Sequence, residues 1–322
     1  MQKIKMMSGF KINTAIRQTI SKLYSQTNGG NIMNKKRFIK IGSAVICIFI
    51  FGIFLFIINN SYSMNRMIEN EVEELISVAK NTGAMTYSLK DIENLPAPVQ
   101  RYFRHVLKDG QEHIRFVRMK AVGQFRRPEQ KEWTEMNTRQ YFTAKPPGMI
   151  FDAVMKQGPV WFDIRDKYRH GKGGMFVNML SGLNVLKADD IKELNETSFL
   201  RWIGEAVMFP TALLPCEYIK WKPIDGNCAE LAVTDGNNIG TYRFYFNDTG
   251  EIVKYESDDR YDKIDGKFQK VGSVAVRSHY KEFNGIKVPT KFLITRILPG
   301  GAHEEFWKGE VTDISYNTLK IY

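Results

Sequence analysis

The sequence predicts an α+β protein: a large, curved, antiparallel meander sheet, half-barrel-like, around one main amphipathic helix, behind an N-terminal transmembrane helix. Three observations predict it. Residues 41–58 read IGSAVICIFIFGIFLFII, without a charge. From residue 113 onward, apolar residues recur at every second position in segment after segment. One stretch, 189–209, breaks that period and takes a helical one.

The uncharged run comes first. At about 1.5 Å per residue it spans roughly 27 Å as a helix, close to a hydrocarbon core of ~30 Å. Lys35, Lys36, Arg37 and Lys40 precede it, and Glu69, Glu71, Glu73 and Glu74 follow. Lys40 can snorkel, so the span begins near Ile39. A cleaved signal peptide is the alternative. Its apolar region is usually shorter and ends at small residues, which Ser61-Tyr62-Ser63 imitates weakly. Cys47 lacks the small preceding residue of a lipoprotein signal.

Charge gives the orientation. The formal net charge is +11, yet residues 1–40 hold nine of the 46 Lys and Arg and none of the 35 acids. The remainder, with 37 basic and 35 acidic residues, is almost balanced. This is the positive-inside pattern, with a cytoplasmic N-terminus and an exported body in a single-pass cell-membrane protein. A nucleic-acid partner is excluded, because its basic patch would lie on the folded body. The expected divisions are a basic cytoplasmic leader at 1–38, the transmembrane helix at 39–60, a stalk helix at 61–90 and an extracytoplasmic β-rich domain at 91–322. Asn28-Gly29-Gly30 before Met33 allows a ribosome-binding sequence in the coding strand. Translation is therefore expected to start at Met33, with a real tail at 1–32 as the alternative.

In the stalk, Met64, Met67, Ile68, Val72, Leu75, Ile76 and Ala79 fall at helical spacing, and Thr82-Gly83 supplies a stop. Pro98 opens a short helix whose apolar side holds Val99, Tyr102, Phe103, Val106 and Leu107. Strands are expected near 113–121, 131–144, 149–156 and 159–169. A second set is expected at 218–222, 228–234, 239–246, 251–261, 270–283, 286–298 and 305–316. Asp225-Gly226, Asp235-Gly236, Thr249-Gly250, Asp265-Gly266 and Asn284-Gly285 are hairpin signals in this second set. The helix at 189–209 carries Phe199, Leu200, Trp202, Ile203, Ala206, Val207 and Phe209 on one side, and Pro210 ends it. Ten or more strands must curl, and the helix is the natural filling.

Several segments resemble a bacterial family known only as a domain of unknown function. They are Leu95-Pro96-Ala97-Pro98-Val99-Gln100-Arg101-Tyr102-Phe103, Trp161-Phe162-Asp163-Ile164-Arg165-Asp166, the stretch from Arg201-Trp202-Ile203-Gly204-Glu205 to Leu214-Pro215, Asp259-Arg260-Tyr261, and Trp307-Lys308-Gly309-Glu310. The resemblance covers about 95–317 and implies domain limits without an activity. The order of elements is also similar to the half-barrel of lipoprotein carriers, which by analogy implies an acyl-chain cleft.

Little in the sequence points to chemistry. His105, His113, His170, His279 and His303 form no metal-ligand pattern, and neither a metal nor a cofactor is expected. His170-Gly171-Lys172-Gly173-Gly174 lacks phosphate-loop spacing and reads as a tight turn. Cys216 and Cys228 are not favoured as a disulfide. Glu205 borders the apolar arc of the helix. It is expected either to pair with Arg201 one turn away or to be a buried anchor pairing with Arg260. The first functional reading is a membrane-anchored, extracytoplasmic module binding a lipid or other hydrophobic ligand. Its expected lining is Trp161, Phe162, Trp202, Glu205, Phe209, Leu213, Leu214 and Arg260. The alternatives are a cell-envelope hydrolase with Glu205 and Asp259 as acid and base, and a structural envelope protein. An apolar cavity favours the first, converging carboxylates the second and a solid core the third.

Overall fold

A computed structural model of the chain describes Gln18, Ser21, Lys22 and residues 35–127, 130–264 and 266–322. The rest of 1–34, including Met33, and Asp265 of the expected turn lie outside the described residues. Helix α1 runs from Lys35 to Asn81, and the chain divides into two compact units, 1–56 and 57–322. In the first unit every residue from Lys40 to Phe56 is exposed. This apolar stretch belongs to a helix long and apolar enough to cross a membrane.

The second unit holds thirteen strands among the described residues. β1 (Phe116–Phe125), β2 (Thr134–Thr143), β3 (Gly148–Gln157), β4 (Val160–Arg169), β5 (Lys172–Met179) and β6 (Leu183–Asp189) form one antiparallel meander. β7 (Ile219–Pro223), β8 (Cys228–Asp235), β9 (Asn238–Phe246), β10 (Ile252–Ile264), β11 (Lys267–Phe283), β12 (Ile286–Ile297) and β13 (His303–Tyr316) form another. The first strand pairs with the last, so the sheet order is β6-β5-β4-β3-β2-β1-β13-β12-β11-β10-β9-β8-β7.

Two strands were not expected. The residues taken for a turn end sooner: His170 and Gly171, both at positive φ, make it, and Lys172 already begins β5. β6 is an edge strand whose side chains are nearly all exposed, so it shows no buried alternation to read. The Asp225-Gly226 turn sets Pro223 opposite Ala229, and Cys216 and Cys228 are free.

Short helix α2 (Ala97–Val106) has Pro98 in its first turn, as expected. The main helix is shorter than 189–209. α3 spans Lys192–Glu205, and the apolar residues beyond it lie in two 3-10 turns, Ala206–Met208 and Pro210–Leu213. Pro210 opens the second turn rather than ending the helix.

α3 packs on β4 and β5 and also on β9 and β10. In the sheet order β4 and β10 are seven strand spacings apart. At about 4.8 Å each that is ~34 Å across a flat sheet, against a helix about 10–12 Å wide. The sheet must therefore curl around the helix. Two glycines let it approach. A Cβ on Gly173 of β5 would lie 2.4 Å from the Leu194 carbonyl oxygen, and one on Gly240 of β9 would lie 2.4 Å from Ile203 Cδ1. Across the gap, the Tyr168 hydroxyl of β4 donates to Asp235 at 2.6 Å, and Asn238 donates to Tyr168 at 3.0 Å. Inside, Tyr168, Phe199, Trp202, Phe209 and Phe142 form a continuous aromatic row with centroid spacings of 5.1–6.1 Å.

The stretch expected as a stalk is part of this folded unit. Met64, Ile68, Val72, Leu75 and Ala79 are buried against Phe116, Tyr141 and Ile150. The reason lies in β1–β3, which are apolar on both faces. Val117, Phe142 and Phe151 turn inward while their neighbours turn outward and need cover. Glu71 pairs with Arg165 at 3.3 Å, and Glu74 reaches Arg169 at 2.7 Å and His170 at 2.9 Å.

The His170 hydrogen bond, opposed by slight burial and helped by Arg169 and Lys167, holds the Glu74 carboxyl below its ordinary value of 4.5. A depressed acid stabilises the fold above its unfolded value and loses that contribution as pH falls through the folded one. Glu74→Gln should therefore melt below wild type at neutral pH, and the gap should close as pH drops below about 4.5. Melting curves of both proteins across that range check it; a pH-independent gap would contradict the pairing.

Candidate functional site

α3 does not fill the concavity of the sheet. A cleft of about 420 Å³ remains beside it, lined from the β1–β6 side, from α3 and from the β9–β13 side. Met136, Phe151, Met155, Phe162 and Ile164 contribute on one side, and Tyr242, Tyr255, Ala275, Ile294 and Phe306 on the other. The lining is mainly apolar, with methionines that can repack around different shapes.

Charged groups are set into this apolar wall in pairs. Arg201 of α3 donates to Asp166 of β4 at 2.5 Å and lies 3.9 Å from the Phe151 ring centre. Burial lifts the Asp166 carboxyl above its ordinary range, against the pull of Arg201, Arg165 and Arg260. Arg296 of β12 bonds Asp262 at 2.6 Å and Glu304 at 2.8 Å. Glu205, at the end of α3, meets Arg277 of β11 at 3.2 Å. Arg277 also donates to the Tyr255 hydroxyl at 2.6 Å, which donates on to the Gly204 carbonyl at 2.7 Å. Burial works against the Arg277 charge, but Tyr255 and Glu205 outweigh it and raise its pKa. Burial likewise pushes the Tyr255 hydroxyl up to about 12, so it remains a donor.

A bulge in β10 decides which of its residues reach the cleft. The register with β11 shifts between Ser257 and Arg260. Tyr255 lines the cleft, and so do Arg260 and Asp262. Residues 255 and 260 would face opposite ways in an unbroken strand, and the extra residue reverses the parity. Asp259 turns outward and pairs with Lys270 at 3.1 Å.

Of the expected lining residues, Phe162, Glu205 and Arg260 are in the cleft. Trp202, Phe209, Leu213 and Leu214 are core instead. Trp202 is fully buried and donates from Nε1 to the Thr143 carbonyl at 2.9 Å. The apolar arc of α3 fills the bottom of the curl, so its largest rings pack there. Trp161 alternates to the face opposite Phe162, where Nε1 donates to Ser181 Oγ at 3.1 Å. Glu205 pairs with neither Arg201 nor Arg260. Each arginine has a reason: Arg201 is taken by Asp166, and Arg277 reaches Glu205 from the next strand pair. The bulge keeps Asp259 from joining Glu205 as an acid–base pair. Among the described residues no group of three or more His, Cys, Asp or Glu could hold a metal ion.

Asp166, Arg277 and Arg296 were not expected. The sequence carries one local sign of them, a charged residue on the inward parity of an apolar strand, such as Arg277 two residues after Ala275 and Arg296 two after Ile294.

A family model described as a family of unknown function, DUF6920, matches residues 93–316. No curated protein matches the chain. Among solved structures it is similar to a DUF1329 family protein from Desulfovibrio piger at 12% identity and a TM-score of 0.36. That match covers 77% of this chain and 94% of the other. It is also similar to a LolA superfamily protein from Nitrosomonas europaea at 11% identity and a TM-score of 0.31, covering 69% of this chain and 93% of the other.

The Glu205 side chain is 14% exposed and that of Arg277 only 1%. Glu205→Gln keeps the shape but leaves a buried guanidinium without its counter-charge. It should cost about 1–3 kcal/mol in denaturant unfolding. A loss under ~0.5 kcal/mol is the size of a solvated surface pair and would contradict this placement.

Proposed function

The chain belongs to the DUF6920 family of unknown function, and we propose that this member is a membrane-anchored module that binds a lipid or other hydrophobic ligand outside the cytoplasm. The observation that carries the reading is the cleft. Its volume of about 420 Å³ falls within the ~300–1,000 Å³ of small-molecule sites. It stays open beside a core that Trp202, Phe209 and Phe142 already fill. A structural envelope protein has no use for such a space. The hydrolase reading loses its pair, because Asp259 lies outside the cleft with Lys270.

The anchor is the uncharged run at 41–58 within residues 39–58 of α1. The nine basic residues in 1–40 support a cytoplasmic N-terminus and an exported body. A module tethered to a bilayer can take a molecule from that bilayer or deliver one to it.

Two measurements test these statements. With the full chain in lipid nanodiscs, a hexadecanol carrying a diazirine on its tail should photolabel Met136, Met155 or Phe162, located by peptide mass spectrometry. Labelling confined to 39–58 would overturn the binding reading. Separately, alkaline phosphatase fused after Tyr322 should be active and green fluorescent protein dark; the reverse pattern would overturn the topology.

A further inference from the structure

Every acid lining the cleft has its own arginine. Asp166 has Arg201, Asp262 has Arg296 and Glu205 has Arg277. Two lining arginines, Arg260 and Arg127, have no acid of their own among the described residues. Arg260 forms no ion pair among the described residues, and its buried Nε has no hydrogen-bond partner. Its guanidinium carbon lies 4.9 Å from the centre of the Phe306 ring, as does that of Arg296. Stacking on a ring occupies the face of a guanidinium and leaves the in-plane donors available. Arg127, the other lining arginine without a carboxylate, already donates to Gln130 and Gln157, each at 3.1 Å.

An arginine in this state is costly. It keeps its charge at any ordinary pH, and removing it from water without a counter-charge is unfavourable. Burial pulls the Arg260 pKa down; Asp262 and Tyr242 oppose this, and Arg296 and Arg201 add to it. Charge-assisted, bidentate contact with a carboxylate or phosphate is the strongest use of such a group. The same cleft offers Met136, Met155 and Phe162 for an alkyl chain.

Resting on the binding reading above, we propose that the cleft takes a single-chain amphiphile with an anionic head, a fatty carboxylate or alkyl phosphate, and that Arg260 holds the head. The β10 bulge is then the device that turns this arginine inward.

The test uses the full chain in nanodiscs and three diazirine probes with the same hexadecyl tail: hexadecanoic acid, hexadecyl phosphate and hexadecanol. At neutral pH the wild type should label the cleft with at least one charged probe about tenfold more strongly than with the alcohol, the ratio of one charge-assisted hydrogen bond. Arg260→Gln should bring that ratio close to one while alcohol labelling persists. Arg260→Lys should keep part of it, and Arg104→Gln, an exposed arginine of α2 outside the cleft, should leave it unchanged. Equal labelling by all three probes in the wild type overturns the proposal and leaves the binding reading standing. Selectivity that survives Arg260→Gln also overturns it. If no probe labels the cleft, both fall. Millimolar acetate and inorganic phosphate complete the experiment. If either displaces the charged probes, Arg260 binds a free anion and the amphiphile proposal fails. An Arg260→Gln protein that does not fold leaves the wild-type probe ratio to decide, with Arg260→Lys and Arg104→Gln beside it.

Discussion

Helix α3 touches β4, β5, β9 and β10 at once, and almost everything else follows from that. Strands so far apart in the sheet can meet one helix only if the sheet bends through most of a turn. Gly173 and Gly240 supply the clearance, one from each meander. The bend turns one face of the sheet inward and creates the concavity where the aromatic row packs. A helix of fourteen residues cannot fill the concavity of strands up to seventeen residues long. The unfilled part is the cleft. Fold and cavity are thus two results of one geometric requirement.

The polar interior has a different logic. Four arginines and three acids in an otherwise apolar wall are not an efficient way to stabilise a domain, since paired buried charges often do no better than hydrophobic residues of similar volume. Their effect is on specificity of arrangement. Arg201–Asp166 ties the C-terminal part of α3 to β4, and Arg277–Glu205, one turn further along, ties it to β11. The helix is therefore held in one axial position between the two meanders, where apolar packing alone would permit sliding.

Much of this was legible in the sequence. Period-two segments located eleven of the thirteen strands. The quoted motifs placed the domain over about 95–317, where the family match runs 93–316. The failures have physical causes. β6 is exposed along nearly its whole length and carries no pattern. The apolar arc of α3 continues into 3-10 turns, which share its hydrophobicity but not its axis. Trp202 and Trp161 could not be assigned to core or outer face without the depth of the curl. The bulge in β10 was invisible because its effect, exchanging Asp259 for Arg260 at the cleft, depends on register with β11. Arg277 found Glu205 across 72 positions of sequence, a separation that no local pattern reports.

The pairing of β1 with β13 sets Val117 beside Tyr316, about two hundred residues later in the chain. These two strands are the middle of the sheet: β1 closes a run of six strands and β13 opens a run of seven. A polypeptide emerging from its N-terminus would form the first meander early and then hold the open edge of β1 through the making of nearly everything else. The domain cannot be completed piecemeal. The last strand is a keystone, and until it arrives two hydrophobic half-sheets with unsatisfied backbone edges face each other. Such a chain needs protection for longest at what becomes the middle of its sheet.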